Sequence, residues 1–166
     1  NCIIYIIEIY IETLIEYFNL ENGDVFSAFV LMKDDKNYEN DSFDKDGMHI
    51  QINLTMQHRE QLFLREKVMK QVDENIITPS GWWNKIINDL NDIFDKSISS
   101  GNTGWLCLGS RKPGGKPYKI VNKYNITIND VEENDYSIEE ITVKKKDEIK
   151  VFEELLIRNQ KFKKMK

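Results

Sequence analysis

Met48-His49-Ile50-Gln51-Ile52-Asn53-Leu54 alternates apolar and polar side chains with a period of two. Successive side chains of a strand point to opposite faces. The pattern therefore puts His49, Gln51 and Asn53 on one sheet face and Met48, Ile50, Ile52 and Leu54 on the other. A second strand is predicted upstream. Val25-Phe26-Ser27-Ala28-Phe29-Val30-Leu31-Met32 is almost wholly apolar, as a strand buried on both faces reads. Lys33–Asp46 between them is polar, acidic and aperiodic, which predicts a loop.

Helices flank this pair. Residues 2–19 are rich in isoleucine, and Glu8, Glu12 and Glu16 recur every four residues, drawing one solvated stripe down a helix that ends near Asn22-Gly23. A second helix is expected over roughly 58–74. Thr78-Pro79-Ser80 then cap a third, whose apolar positions Trp82/Trp83, Ile86/Ile87, Leu90 and Ile93/Phe94 repeat at helical spacing.

The next segment predicts a hairpin over Gly104–Val121. Trp105-Leu106-Cys107-Leu108 reads as its first strand and Tyr118–Val121 as its return, with Gly109-Ser110-Arg111-Lys112 and a Pro113-Gly114-Gly115 turn between them. From Lys96 to Asn129 there are six Lys or Arg and no Asp or Glu. That window carries +6 in a chain whose total is −5, so the remainder sums to −11. An anionic ligand belongs at such a concentration of charge.

The chain has 166 residues, 31% charged and 40% hydrophobic, which fits a globular protein with one core. Its acidic total argues against coating nucleic acid by charge alone, but leaves room for a local grip on phosphate. Two cysteines, Cys2 and Cys107, form no disulfide framework, so a reduced, intracellular setting is expected. The glutamates of the first helix argue against a membrane anchor, and no basic segment precedes it as in a secretory leader. The sequence contains no Walker A motif, no Ser-His-Asp order, no zinc spacing and no dinucleotide fingerprint.

Three places carry candidate chemistry. His49 opens a strand after the Lys45-Asp46-Gly47 turn, where an imidazole can contact phosphate or accept a proton. The plainer reading is a half-exposed sheet histidine. Asp95 closes the tryptophan-bearing helix, a position that the helix dipole disfavours for a carboxylate. Asp89 and Asp92 on the same helix offer the alternative of a solvated acidic face. Ser110, Arg111 and Lys112, with the neighbouring glycines, suit a polyphosphate, and a charged hairpin tip is the alternative.

In order, the elements are helix, strand, strand, helix pair, strand, strand, an α/β (α+β) set. One further strand before residue 1 would complete β-α-β-β-α-β, a split βαβ sheet. The chain opens on Asn1 and not on Met, and a piece of a longer protein is expected. A domain edge is expected near 122–130, with residues 1–125 compact. Residues 126–166 then read as a charged linker or tail toward an absent downstream domain. Asp130–Glu140 is strongly acidic, and Lys144–Lys166 holds nine basic and four acidic residues.

Four pieces occur in an order that carries a family resemblance: Lys45-Asp46-Gly47-Met48-His49-Ile50; Gln61-Leu62-Phe63-Leu64-Arg65-Glu66-Lys67-Val68; Phe94-Asp95-Lys96; and Gly104-Trp105-Leu106 with Gly109-Ser110-Arg111-Lys112-Pro113 and Pro117-Tyr118-Lys119. Over about residues 20–125 the chain resembles the archaeo-eukaryotic type primase domain of the primase-helicases of large DNA viruses. The resemblance implies an RNA-recognition-motif-like half of a primase fold, lacking its first strand, and template-directed nucleotidyl transfer. Gly47-Met48-His49 resembles the family's histidine motif and Phe94-Asp95 its third acidic motif. It further implies that His49, Ser110, Arg111 and Lys112 hold the incoming nucleoside triphosphate. Asp95 would be a catalytic ligand of Mg²⁺ or Mn²⁺, beside His49. The same resemblance implies a single-stranded DNA template, a helicase domain of the same polypeptide and the virus replication compartment of an infected cell as partners and setting.

Two departures stand out. Gly47 occupies a position that is serine in much of the superfamily. The paired acids of the family's first strand have no counterpart, since Glu8 and Glu12 are spaced for a helix. Without those acids the chain is expected not to synthesise primers by itself. The runner-up reading is a nucleotide- or nucleic-acid-binding module derived from a primase that has lost catalysis. A scaffold piece binding a partner through its charged C-terminal segments is the third.

Overall fold

The computed structural model describes residues 2–33, 37–40, 43–45, 47–75, 88–101, 104, 106–144, 147–155 and 161–162. Two units share the chain, each assembled from separated segments. Residues 1–20 and 56–104 belong to a helical unit, and residues 21–55 and 105–162 to a sheet unit.

In the helical unit, α1 (Cys2–Tyr17) and α2 (His58–Asn75) fall where the apolar spacing predicts them. Ile6, Ile7, Ile9, Ile11, Leu14 and Ile15 of α1 are buried, and the Glu8/Glu12/Glu16 stripe is not. Leu64, Val68 and Val72 form the buried stripe of α2 at four-residue spacing. Glu60 reaches back to accept from the Gln57 backbone N–H at 2.7 Å, one half of a capping box that starts α2. No helix among the described residues is long and apolar enough to cross a membrane.

The predicted third helix is different in its described part. Its start, with Thr78–Ser80 and the Trp82-Trp83 pair, lies outside the described residues. Its later half is two short turns, α3 (Leu90–Ile93) and α4 (Lys96–Ser99). Aspartates cause the break. The Asp89 side chain accepts from the N–H groups of Asn91 and Asp92, and so begins α3 instead of continuing an earlier helix. Phe94 ends α3, and Asp95 caps α4. Buried Arg65 of α2 fixes the junction, donating from Nε to the Phe94 carbonyl at 2.6 Å and from Nη2 to Asn91 Oδ1 at 3.0 Å.

Among the described residues the sheet unit has strands β1 (Val25–Lys33), β2 (Asn37–Asn40), β3 (Phe43–Lys45), β4 (Met48–Ile52), β5 (Leu54–Thr55), β6 (Tyr118–Asp130), β7 (Asp135–Ile141) and β8 (Lys161–Phe162), and the helix α5 (Glu148–Leu155). The main sheet is antiparallel throughout in the order β4-β1-β6-β7, giving the mixed α+β class expected. β1 lies between β4 and β6, and Phe26 to Leu31 are all buried, Ser27 among them. β2 pairs with β3, and β5 with β8.

Two differences from the sequence expectations bear on the site. Trp105 lies outside the described residues, Leu106 and Cys107 are not strand, and Leu108-Gly109 is a turn, so among the described residues the expected hairpin has a strand on its return side only. β6 begins at Tyr118 and runs to Asp130 through the expected domain edge, then turns at Val131–Asn134 into β7. The charged segment beyond residue 125 thus supplies the end of β6, the edge strand β7 and α5, whose Val151 and Leu155 are buried.

Candidate functional site

Register places the polar face. Paired residues of an antiparallel ladder share a face. Gln51, Phe29 and Lys123 therefore form one row across β4, β1 and β6, and His49, Leu31 and Ile120 the next. The register slips between Val30 and Leu31, leaving Val121 as an extra residue on β6. One extra residue inverts which side chains point where. The bulge thus turns Tyr118 and Ile120, and not Lys119 and Val121, toward the face of His49.

His49 is held from two directions. Its ring stacks on that of Tyr118, with centroids 4.1 Å apart and planes at 20°. Its Nδ1 is 3.1 Å from the Leu106 carbonyl oxygen. A carbonyl only accepts, so Nδ1 carries the hydrogen and the neutral ring is the Nδ1–H tautomer. Protonation at Nε2 then makes a second donor without disturbing the first. Lys33 Nζ lies 5.1 Å from the Tyr118 ring centroid and adds a cation to this corner.

The cationic loop grows from the same two residues. Gly109 N–H donates to the Tyr118 carbonyl at 2.9 Å, and Tyr118 N–H to the Ser110 carbonyl at 3.1 Å. Two residues thus face one, with Gly109 at φ +78°, the glycine-led bulge geometry that an L side chain resists. Ser110 N–H also closes a turn onto Cys107. A second turn is closed by Gly115 N–H on the Lys112 carbonyl at 2.9 Å, with Pro113 second and Gly114 third at φ +76°. Arg111 lies between these two turns and Lys112 opens the second; both are exposed, and no other described residue makes an ion pair with either side chain. Ser110 is half-buried at the loop's base. The structure brings His49 and the Ser110–Lys112 loop together through Leu106 and Tyr118.

Asp95 belongs to the helical unit. It is exposed, and its carboxylate accepts from Ser97 N–H at 2.8 Å as the N-cap of α4. At the start of α4, and not at the end of a helix as the sequence predicts, the carboxylate sits where the dipole favours it. A two-ion centre needs several carboxylates at one place. Among the described residues no three of His, Cys, Asp or Glu gather as a metal site would require, and Asp95 alone does not fit such a centre.

Sequence reading missed Tyr118, Lys33, Lys123 and the Leu106 carbonyl. Tyr118 carried a signal, since it is aromatic and opens the strand that leaves the glycine-rich turn. The other three depend on register and on a backbone atom. Lys123 is buried on the His49 face, with its Nζ 2.5 Å from Glu154 of α5.

Residues 1–124 match the family model described as the C962R protein N-terminal AEP domain, AEP denoting archaeo-eukaryotic primase. The chain belongs to that family. The AEP match takes in His49, Asp95, the Ser110–Lys112 loop, Tyr118 and Lys123, and ends before β7 and α5. It agrees with the primase resemblance carried by the four sequence pieces. No curated protein matches the chain as a relative.

Proposed function

We propose that this primase-like domain binds the triphosphate of an incoming nucleotide through His49 and the Ser110-Arg111-Lys112 loop. The observation that carries the reading is the shared base: Tyr118 both stacks on His49 and closes the loop on Gly109 and Ser110. A guanidinium and an ammonium held over a rigid turn suit a chain of phosphates. His49 contributes a further donor when protonated.

The wider setting belongs to the same proposal: a single-stranded DNA template, a helicase domain in the same polypeptide, and DNA replication in the virus compartment of an infected cell. A catalytic Mg²⁺ or Mn²⁺ enters it only with carboxylates beyond those described, joined by Asp95. Titration of the chain with a fluorescent deoxynucleoside triphosphate tests the core of the reading. Changing Arg111→Ala and Lys112→Ala together should weaken binding by about tenfold or more. An unchanged affinity would sink it.

One observation favours a second reading, a binding module without catalysis. Asp95 already has a structural duty as a cap, and no acidic cluster accompanies it among the described residues. Triphosphate binding that is equal with and without Mn²⁺, and that survives Asp95→Ala, would select the module. Incorporation of nucleotides by the chain with Mn²⁺, abolished by Asp95→Ala, would select the enzyme.

A further inference from the structure

Lys123 stands in the middle of β6 on the His49 face and is 9% exposed. A buried ammonium is costly unless an anion meets it. Here the anion comes from outside the sheet. Glu154 of α5 is 2.5 Å from Lys123 Nζ, which also lies 5.3 Å from the Phe29 ring centroid. Gln51, in the same row, donates from Nε2 to the Leu155 carbonyl at 3.0 Å. Val151 and Leu155 pack with Phe29, Leu31 and Tyr118. α5 therefore covers the polar row and the apolar centre of the same face.

The cover is short. α5 has eight residues, well under the roughly 12–15 at which an isolated helix is even marginal in water. Among the described residues, the contacts that hold it include buried Val151 and Leu155, the Glu154–Lys123 ion pair and the Gln51–Leu155 hydrogen bond. Its outer side carries Ile149 and Phe152, both exposed. It lies beyond residues 1–124, which the family model matches.

We propose that Glu154 stands in for a phosphate group, and that α5 is a displaceable cover whose departure gives Lys123 to a nucleoside triphosphate. Carboxylate and phosphate are both oxyanions that a lysine ammonium pairs with. The site beneath α5 is thus an added anion subsite, blocked from within the same chain. This inference rests on the reading of His49 and the Ser110–Lys112 loop as a triphosphate site.

The test compares the full chain with Glu154→Gln and with Lys123→Gln/Glu154→Gln, each titrated with a fluorescent deoxynucleoside triphosphate and checked for folding by circular dichroism. Glu154→Gln should tighten binding roughly tenfold, and the double variant should lose that gain. Hydrogen exchange of the unmodified chain supplies a readout that needs no variant. Saturating triphosphate should speed exchange in α5 while slowing it at Ser110–Lys112. Equal affinities for the parent and Glu154→Gln, with α5 exchange unmoved, overturn the cover and leave the Arg111/Lys112 site standing. Tightening that persists in the double variant overturns the role of Lys123. Absence of triphosphate binding in every form overturns both the cover and the site.

Discussion

The imidazole of His49 lies against the ring of Tyr118, and the Tyr118 main chain is the clasp of the cationic loop. One aromatic residue thus serves two duties that substitution can separate. Tyr118→Phe keeps the ring and should hold triphosphate affinity within about twofold, since an aromatic pair is worth roughly 0.5–1.5 kcal/mol through its ring and not its hydroxyl. Tyr118→Ala removes a buried ring and should cost about 3–5 kcal/mol of stability. At a temperature where both variants are folded, Tyr118→Ala should also bind triphosphate several-fold more weakly. Chemical denaturation and nucleotide titration check the two effects separately.

Deleting Val121 should damage the chain more than replacing it. Val121 is the extra residue of the β6 bulge and is about half exposed. Val121→Thr should change stability by no more than about 0.5 kcal/mol. Removing the residue restores simple alternation, which would turn either Tyr118 and Ile120 or the rest of β6 to the wrong face. A loss of about 3 kcal/mol or more is expected, read as a collapse of the cooperative unfolding transition.

Asp95 offers a test between cap and metal ligand. Asp95→Ala should destabilise by about 0.5–2 kcal/mol, because the Ser97 N–H loses its acceptor. Asp95→Asn retains a good cap and should recover most of that loss. If the carboxylate also serves a metal, Asn will not restore Mn²⁺ binding measured by calorimetry. Parallel recovery of both properties would remove the ligand role.

Tyr10 gives the helical unit a signature at high pH. Burial pushes its phenol up to about 12, with the nearby Arg65 charge partly opposing the rise. The folded state therefore holds this proton more tightly than the unfolded chain, whose tyrosine titrates near 10. The unfolded state loses its proton first, so stability is fully present below about pH 10 and falls as pH rises toward about 12. Denaturation midpoints across that interval should fall less steeply in Tyr10→Phe.

Legibility tracked how local the cause was. The alternation of Met48–Leu54 located His49 and Gln51 on one face, because strand periodicity is carried by adjacent residues. The Lys112–Gly115 turn was readable for the same reason: Pro and Gly impose its angles within four residues. The sequence places Asp95 at a helix end, whereas it starts α4: an aspartate suits either place, and only the backbone distinguishes them. Tyr118 depended on a bulge that no periodicity announces. The strands and helix after residue 125 were hidden by their charge. β7 is an edge strand with mostly exposed side chains, and α5 buries only two residues, so composition resembled a tail.

The family match closes at residue 124, in the middle of the thirteen-residue strand β6. The match and the fold thus end at different places in this chain. A chain trimmed to the matched segment would end inside a ladder paired on both sides, removing buried Ile126 and Ile128 together with the whole of β7. It would also discard α5 and with it the carboxylate facing Lys123. Such a trimmed protein would be at once less stable and more cationic on its His49 face. Its nucleotide affinity would then describe a different molecule from the one the full chain makes.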